Sequence, residues 1–318
     1  MGRSPAEREQ PMNRTASPRR AVHGVLLLDK PLGWTSNDAL QKAKGLLRAE
    51  KGGHTGTLDP LASGLLPLCF GAATKFAQAS LDADKRYRAT LRLGQRTTSG
   101  DREGQVVDER PVSCDRAAIE AACARLHGRI AQTPPMHSAL KHHGKALYEY
   151  ARAGVQVERP AREVEIHRIA IVDWQSPTLV IDVHCSKGTY VRTLAEDIGA
   201  ALGCGAHLAA LRRTGSGALG VEQAITIDEL AALDEAERAA LLLPADVLLQ
   251  QWPAVNLAGD EAARFLTGLR RRVALADAPA VRVYAEAPRA FLGAGHIAGG
   301  ELIPDRLLSP LEVQAAQA

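Results

Sequence analysis

The chain has 318 residues, enough for two domains or one large domain with a small satellite. Its 46% hydrophobic and 24% charged residues are those of an ordinary globular protein, and no apolar run of about 18 residues occurs, which excludes a membrane-spanning helix. The net charge of +3 resides in residues 1–20: removing their five arginines and two glutamates leaves basic and acidic residues equal, so any affinity for nucleic acid must come from local patches.

Residues 1–20 carry no apolar segment of the kind found in secretory signals and are expected to form a disordered basic tail. Gly24 to Asp29 is a short apolar run fitting a buried strand, and Lys30-Pro31-Leu32-Gly33-Trp34 is a turn. Thr35 to Asp38 then starts a helix through Leu47. In Gly52 to Leu68 one carboxylate, Asp59, sits in a loop otherwise without charge, preceded by glycines that let backbone approach a ligand and followed by Pro60. An Asp before Pro is also an ordinary turn or helix N-cap, and spacing alone favours that plainer reading.

Asp84 to Leu93 alternates as a strand with one basic face and Tyr87 between Arg86 and Arg88. The tyrosine is either a half-buried strand residue or a ring for an extruded base, with the flanking arginines on phosphates. Asp115 to His127 reads as a helix, residues 133–139 as a loop, and Lys145 to Gly154 as a short helix behind the basic stretch Lys141-His142-His143-Gly144-Lys145. Val164 to Ile171 and Leu179 to Cys185 read as two strands. Ser186 to Gly199 leads into a helix whose first turns contain Arg192, a position where a cation is disfavoured by the macrodipole unless an anion faces it. Pairing with Glu196 at i+4, worth a few tenths of a kcal/mol, is the plain alternative.

Gly215 to Gly220 matches the dinucleotide-binding string G-x-G-x-x-G but lacks the strand before it and the long helix after it. Asp228 to Leu243 reads as one amphipathic helix ending at Pro244. From Pro253 onward, short segments at 254–257, 281–284, 290–295 and 301–307, with a helix from Glu261 to Gly268, point to a small β-rich domain in which Arg270-Arg271-Arg272 is a candidate phosphate patch. Five scattered cysteines without a Cys-x-x-Cys pair fit reduced thiols in the cytoplasm, and no histidine spacing suggests a metal.

The segment His54 to Pro67 closely resembles the catalytic motif of the TruB family of pseudouridine synthases, bacterial enzymes that isomerise uridine-55 in the T-loop of tRNA. Three further blocks carry the resemblance: Gly24 to Leu40, Lys85 to Thr97, and Ser186 to Gly199 with Cys204 to Thr214. It implies that Asp59 is the catalytic residue, that Arg192 pairs with it, and that Tyr87 packs on the target base. Tyr190 would lie against the target nucleotide, Leu211 would offer a backbone contact to the uracil, His54 would fill the space the base vacates, and Lys30 would support the Asp59 loop. Arg212 and Arg213 could reach phosphates.

The implied fold is α+β: a central mixed, mainly antiparallel sheet flanked by helices and loops over residues 21–250, with an RNA-clamping insertion at about 100–162. A PUA-type RNA-binding domain would occupy residues 253–318. The implied partner is tRNA through its T-stem-loop, with no cofactor, no metal, no membrane and no obligate protein partner, in a cytoplasmic monomer. Breaking C1′–N1, turning the uracil, joining C1′ to C5 and losing the C5 proton requires neither redox change nor group transfer. An unperturbed aspartate (pKa ~3.9) is ionised at neutrality, so Asp59 would serve as a nucleophile or as a base on a sugar proton in preference to a general acid. A noncatalytic RNA-binding or tRNA-folding protein on the same scaffold is the alternative, and a nucleotide-dependent enzyme using Gly215 to Gly220 a more remote one.

Overall fold

A computed structural model describes residues 18–138 and 140–316. Its largest element is a ten-stranded mixed sheet. Six strands carry the argument: β1 (Gly24–Lys30), β2 (Ala62–Phe70), β3 (Lys85–Leu93), β4 (Arg162–Gln175), β5 (Thr178–Cys185) and β6 (Ala206–Ser216). They lie in the order β1-β2-β6-β3-β5-β4, with Ile225–Thr226 outside β1 and Gly128–Gln132 outside β4. β2 and β6 are parallel, as are β1 and Ile225–Thr226; the other pairs are antiparallel, giving the α+β architecture with a mainly antiparallel sheet.

β1 is apolar from Gly24 to Leu28 because both faces are covered. Leu26 and Leu28 pack with Leu66, Phe70 and Leu40 of helix α1 (Ser36–Leu46), while Val25 and Leu27 join Leu65, Phe76 and Leu308 on the other side. Thr35 caps α1 in a reciprocal box with Asp38, which fixes the helix start at the expected place. β3 instead alternates: Ala89, Leu91 and Leu93 enter the core under helix α2 (Val191–Ala201), and Arg86, Arg88 and Arg92 face the other way. α2 lies so close to β6 that a Cβ on Gly199 would collide with the Ala206 nitrogen.

Of the tail expected over 1–20, residues 1–17 lie outside the described residues; Arg20 already pairs with Glu235 at 2.8 Å. The stretch at about 100–162 is not a separate appendage, since the helix Arg116–Ala124 sends Ile119 and Cys123 into the main core and Gly128–Gln132 extends the central sheet. The helix read over Asp228 to Leu243 is in fact two, Ile227–Ala232 and Glu235–Ala240. Thr226 with Glu229 and Asp234 with Glu237 form two capping boxes, and these local hydrogen bonds override the continuous amphipathic pattern at Leu233, which is extended. Gly215 to Gly220 is a β-hairpin in which Gly215 faces the Arg86 guanidinium, which leaves no phosphate cradle.

A second, five-stranded sheet holds Ala254–Leu257, Arg271–Arg272, Ala278–Glu286, Arg289–Ala298 and Glu301–Leu307, packed with the helix Gly259–Leu266 through Phe265, Val281, Val283 and Leu302. It is bound to the first unit by apolar contact, with Phe291 5.1 Å edge-on to Phe76, and by Lys75, which meets Glu312 at 2.6 Å and the Leu307 carbonyl at 3.0 Å.

Candidate active site

Asp59 stands in the connection between the short strand Gly52–His54 and β2, pinned from three sides. Its carbonyl accepts from Ala62 N–H at 3.0 Å; Leu58 exchanges two hydrogen bonds with the Ser36 hydroxyl at 2.8 and 3.1 Å; the Pro60 carbonyl accepts from Gly33 N–H at 2.8 Å. The first turn of α1 and the turn before it therefore form the seat of the loop. That turn is held by Lys30, fully buried, whose ammonium donates to the carbonyls of Pro31 at 2.9 Å and Trp34 at 2.6 Å. Burial pulls its pKa down to about 8, with the Asp59 charge acting in the opposite direction. Of the preceding glycines, Gly52 serves packing, since a Cβ there would press on the Phe70 ring at 3.1 Å.

The Asp59 carboxylate meets the Arg192 guanidinium at 2.9 Å. Arg192 also reaches Asp101 at 3.5 Å and donates to the His137 carbonyl at 2.5 Å. The side chains of Arg192 and Asp101 are 6% and 7% exposed whereas that of Asp59 is 45% exposed, so one buried cation sits between a sealed carboxylate and an accessible one. Glu196, the plain i+4 alternative, is bypassed. Asp101 is itself restrained, accepting from Ser99 Oγ at 2.5 Å and Glu103 N–H at 3.1 Å. Sequence reasoning missed Asp101; its place directly after the uncharged run Thr97-Thr98-Ser99-Gly100 was the available signal.

A cavity of about 150 Å³ is lined by Asp59, Tyr87, Tyr190, Arg192, Leu211 and Ser138, and a wider cleft of about 920 Å³ shares Asp59, Ser138 and Arg192 with it. His54 lines the cleft and not the smaller cavity. The convergence follows from register: Leu211 of β6 lies between Ala62 of β2 and Ala89 of β3, while Tyr87 lies between Arg213 and Val183. Tyr190 immediately precedes α2, and the buried Gln132 side chain holds its backbone, accepting from Tyr190 N–H at 3.0 Å and donating to its carbonyl at 3.4 Å.

Burial pushes the Tyr87 phenol above the ordinary tyrosine value, opposed by the adjacent Arg213 guanidinium, and burial likewise raises Tyr190, opposed by the neighbouring Ser138 hydroxyl and the Arg192 charge. Both rings are therefore neutral phenols at pH 7. Burial, then Arg213, lowers the His54 pKa, and His54 Nδ1 is enclosed without a partner. That imidazole is neutral as well.

Several arginines read as phosphate contacts are committed elsewhere. Strand alternation places Arg86 and Arg88 on the opposite face from Tyr87; Arg88 forms two bonds of 2.8 Å with Asp182, and Arg86 donates to the Leu219 carbonyl. Arg212 grips Asp29 at 2.6 and 3.0 Å. Arg213 is 1% exposed and donates to the Leu65 carbonyl at 2.6 Å and the Gly56 carbonyl at 3.3 Å, tying the start of the Asp59 loop to β6. In the C-terminal sheet Arg270 pairs with Glu301 and Arg271 with Glu261, which neutralises much of the expected patch.

Three family descriptions match successive parts of the chain: "TruB family pseudouridylate synthase (N terminal domain)" over residues 44–191, "tRNA pseudouridylate synthase B C-terminal domain" over 192–250, and "Pseudouridine synthase II TruB, C-terminal" over 253–308. The chain is 58% identical over 303 residues to a tRNA pseudouridine synthase B of Cupriavidus pinatubonensis, covering 92% of this chain and 96% of that one. It is 59% identical over 310 residues to one of Verminephrobacter eiseniae, covering 95% and 94%. Among solved structures, a Cbf5-Nop10-Gar1 complex matches with TM-score 0.71 at 25% identity, over 92% of this chain and 87% of that one. An H/ACA RNP bound to a substrate RNA containing 2′-deoxyuridine matches at 0.69 and 23%, over 93% of each chain, a likeness of fold.

Proposed function

Because the chain belongs to the TruB family of pseudouridine synthases, we propose that it isomerises uridine-55 to pseudouridine in the T-loop of tRNA, with Asp59 as its one catalytic carboxylate. The observation that carries this reading is the exposed side of Asp59, anchored by a buried guanidinium and opening on a cavity floored by two tyrosines and Leu211. A uridine must leave its stack to reach such a site, at a cost of a few kcal/mol. Stacking on Tyr87, worth roughly 1–3 kcal/mol per base, offsets that cost. Tyr190 closes the other side, Leu211 lends its backbone to the uracil edge, and His54, in the adjoining cleft, occupies the vacated position in the RNA.

Within this frame the C1′–N1 bond breaks, the uracil turns while held between the rings, C5 joins C1′ and the C5 proton departs. Asp59 acts as an anion, either attacking the nucleoside or removing a sugar proton. Arg192 orients it, and Lys30 keeps the seat of its loop. A raised phenol pKa makes Tyr87 a poor free base, so its part in proton transfer is that of a relay. Residues 21–250 form the catalytic part, with His137, Ser138, Tyr148 and Arg152 of the 100–162 stretch overhanging the cleft, and residues 253–318 act as a PUA-type RNA-binding domain. The enzyme works in the cytoplasm as a monomer on the T-stem-loop.

Asp59→Asn is expected to bind tRNA as the native protein does and to release no tritium from tRNA labelled at uridine C5. Undiminished release from that variant discards the assignment of Asp59. Absence of release from the native protein as well, with tRNA binding intact, would instead favour a tRNA-folding role.

A further inference from the structure

On the side of the central sheet away from Tyr87, a second group of chemistry-bearing side chains is assembled from three places in the chain. Asp84 ends the connector into β3, His184 lies on β5, and His167 lies on β4. β4 and β5 pair as Ile166 with Cys185 and Arg168 with His184, so His167 is the extra residue of a β-bulge. Such a bulge re-aims a side chain, and here it turns His167 toward its neighbour across the ladder: the two imidazole rings stand 4.8 Å apart. Asp84 Oδ2 lies 3.2 Å from His167 Nε2 and 3.9 Å from His184 Nε2.

We propose that Asp84, His167 and His184 form a binding site for one divalent first-row transition cation of the zinc class. Ligands about 2.0–2.2 Å from a tetrahedral ion stand roughly 3.3–3.6 Å apart. The observed separations bracket that value, and one potential ligand atom from each residue falls within 4.8 Å of the others. His167 Nε2 is sealed from solvent and, despite the nearby carboxylate, makes no hydrogen bond of acceptable geometry. A coordinated ion gives that nitrogen the partner it lacks. Glu165 Oε1 stands 3.9 Å from His167 Nδ1, beyond hydrogen-bond distance, and adds a second negative charge beside the cluster.

Two imidazoles with one carboxylate select zinc-like ions over calcium or magnesium, which take oxygen ligands. Two cations beside the cluster are engaged elsewhere: Arg86 with the Leu219 carbonyl, and Lys85 with the carbonyls of Ser80 and Ala83. The ion would join the connector before β3 to the β4–β5 hairpin, and a water would complete its coordination. No spacing rule finds such a site, because its ligands come from positions 84, 167 and 184 and meet only through sheet register.

The test is titration of the chelator-treated full chain with Co²⁺ and then Zn²⁺. One equivalent of Co²⁺ is expected to give the intense visible bands of a four-coordinate nitrogen and oxygen site, displaced by one equivalent of Zn²⁺. His184→Ala and His167→Ala should abolish the bands. His142→Ala/His143→Ala should leave the bands intact, and each variant should release tritium from labelled tRNA at the native rate, which shows that it has folded. Absence of stoichiometric binding, or bands that survive in His167→Ala/His184→Ala, overturns the proposal and leaves the cluster as a contact between two imidazoles and a carboxylate.

Discussion

One guanidinium answers two carboxylates in the cleft, and the difference in their exposure separates their contributions. Removing Arg192 strands the buried Asp101 without its cation, and loss of one partner of a buried pair costs about 3–5 kcal/mol. Arg192→Ala is therefore expected to lower the urea midpoint strongly as well as to abolish tritium release. Asp101→Asn keeps the shape and loses only charge: it should fold with a modest loss of stability while kcat falls at least tenfold with little change in tRNA affinity, as read by single-turnover tritium release and filter binding.

Lys30 supplies a pH signature. Its folded pKa of about 8 lies below the ordinary 10.5, so between these values the unfolded chain holds the extra proton and stability rises with pH. Lys85, also lowered to about 8, adds the same slope; Cys69 and Cys185, raised to about 12, oppose it above pH 9. The diagnostic is thus a difference: Lys30→Met should flatten the dependence of unfolding free energy on pH from 8 to 10.5 by up to about 1.4 kcal/mol per pH unit.

Between elements, the geometry of the site depends on how closely β2 and β6 approach. Gly64 has φ +101°, and a Cβ there would collide with the Arg213 carbonyl oxygen. Gly64→Ala should cost about 3 kcal/mol in urea denaturation and move Leu211 relative to Asp59. Gly53, in the same neighbourhood, has open space on the side where a Cβ would stand, and Gly53→Ala should stay within about 0.5 kcal/mol of the native chain. The contrast shows which glycine of the motif answers to packing. It also accounts for Arg213, drawn inward because β6 and the Asp59 loop leave carbonyls at Leu65 and Gly56 that need a donor.

For the molecule as a whole, the two sheets share one apolar layer, in which Val25, Phe76 and Leu248 of the larger unit meet Ala294, Phe291 and Leu308 of the smaller. Phe291→Ala is expected to lower stability by about 3 kcal/mol, in the range for removing a packed aromatic ring, and to shift a single thermal transition without splitting it. Two separate transitions in calorimetry would show instead that the sheets unfold independently.

The sequence by itself determined whatever depends on near neighbours. The apolar run of β1, the Thr35 cap of α1, the alternation of β3, and the isolation of Asp59 between glycines and a proline are set by residues within a few positions of one another, as are the short strands after Pro253. Family resemblance then named Tyr87, Tyr190, Arg192 and Leu211, residues that no local pattern joins. Only the tertiary structure decided which charges are spoken for: Arg88 by Asp182, Arg212 by Asp29, Arg213 by buried carbonyls, Arg192 by Asp101 in addition to Asp59. Those pairings span tens to more than a hundred residues of chain. They rest on strand register and on the face each side chain takes, and a charged residue's composition and spacing are the same whether it meets water, a carbonyl or a carboxylate.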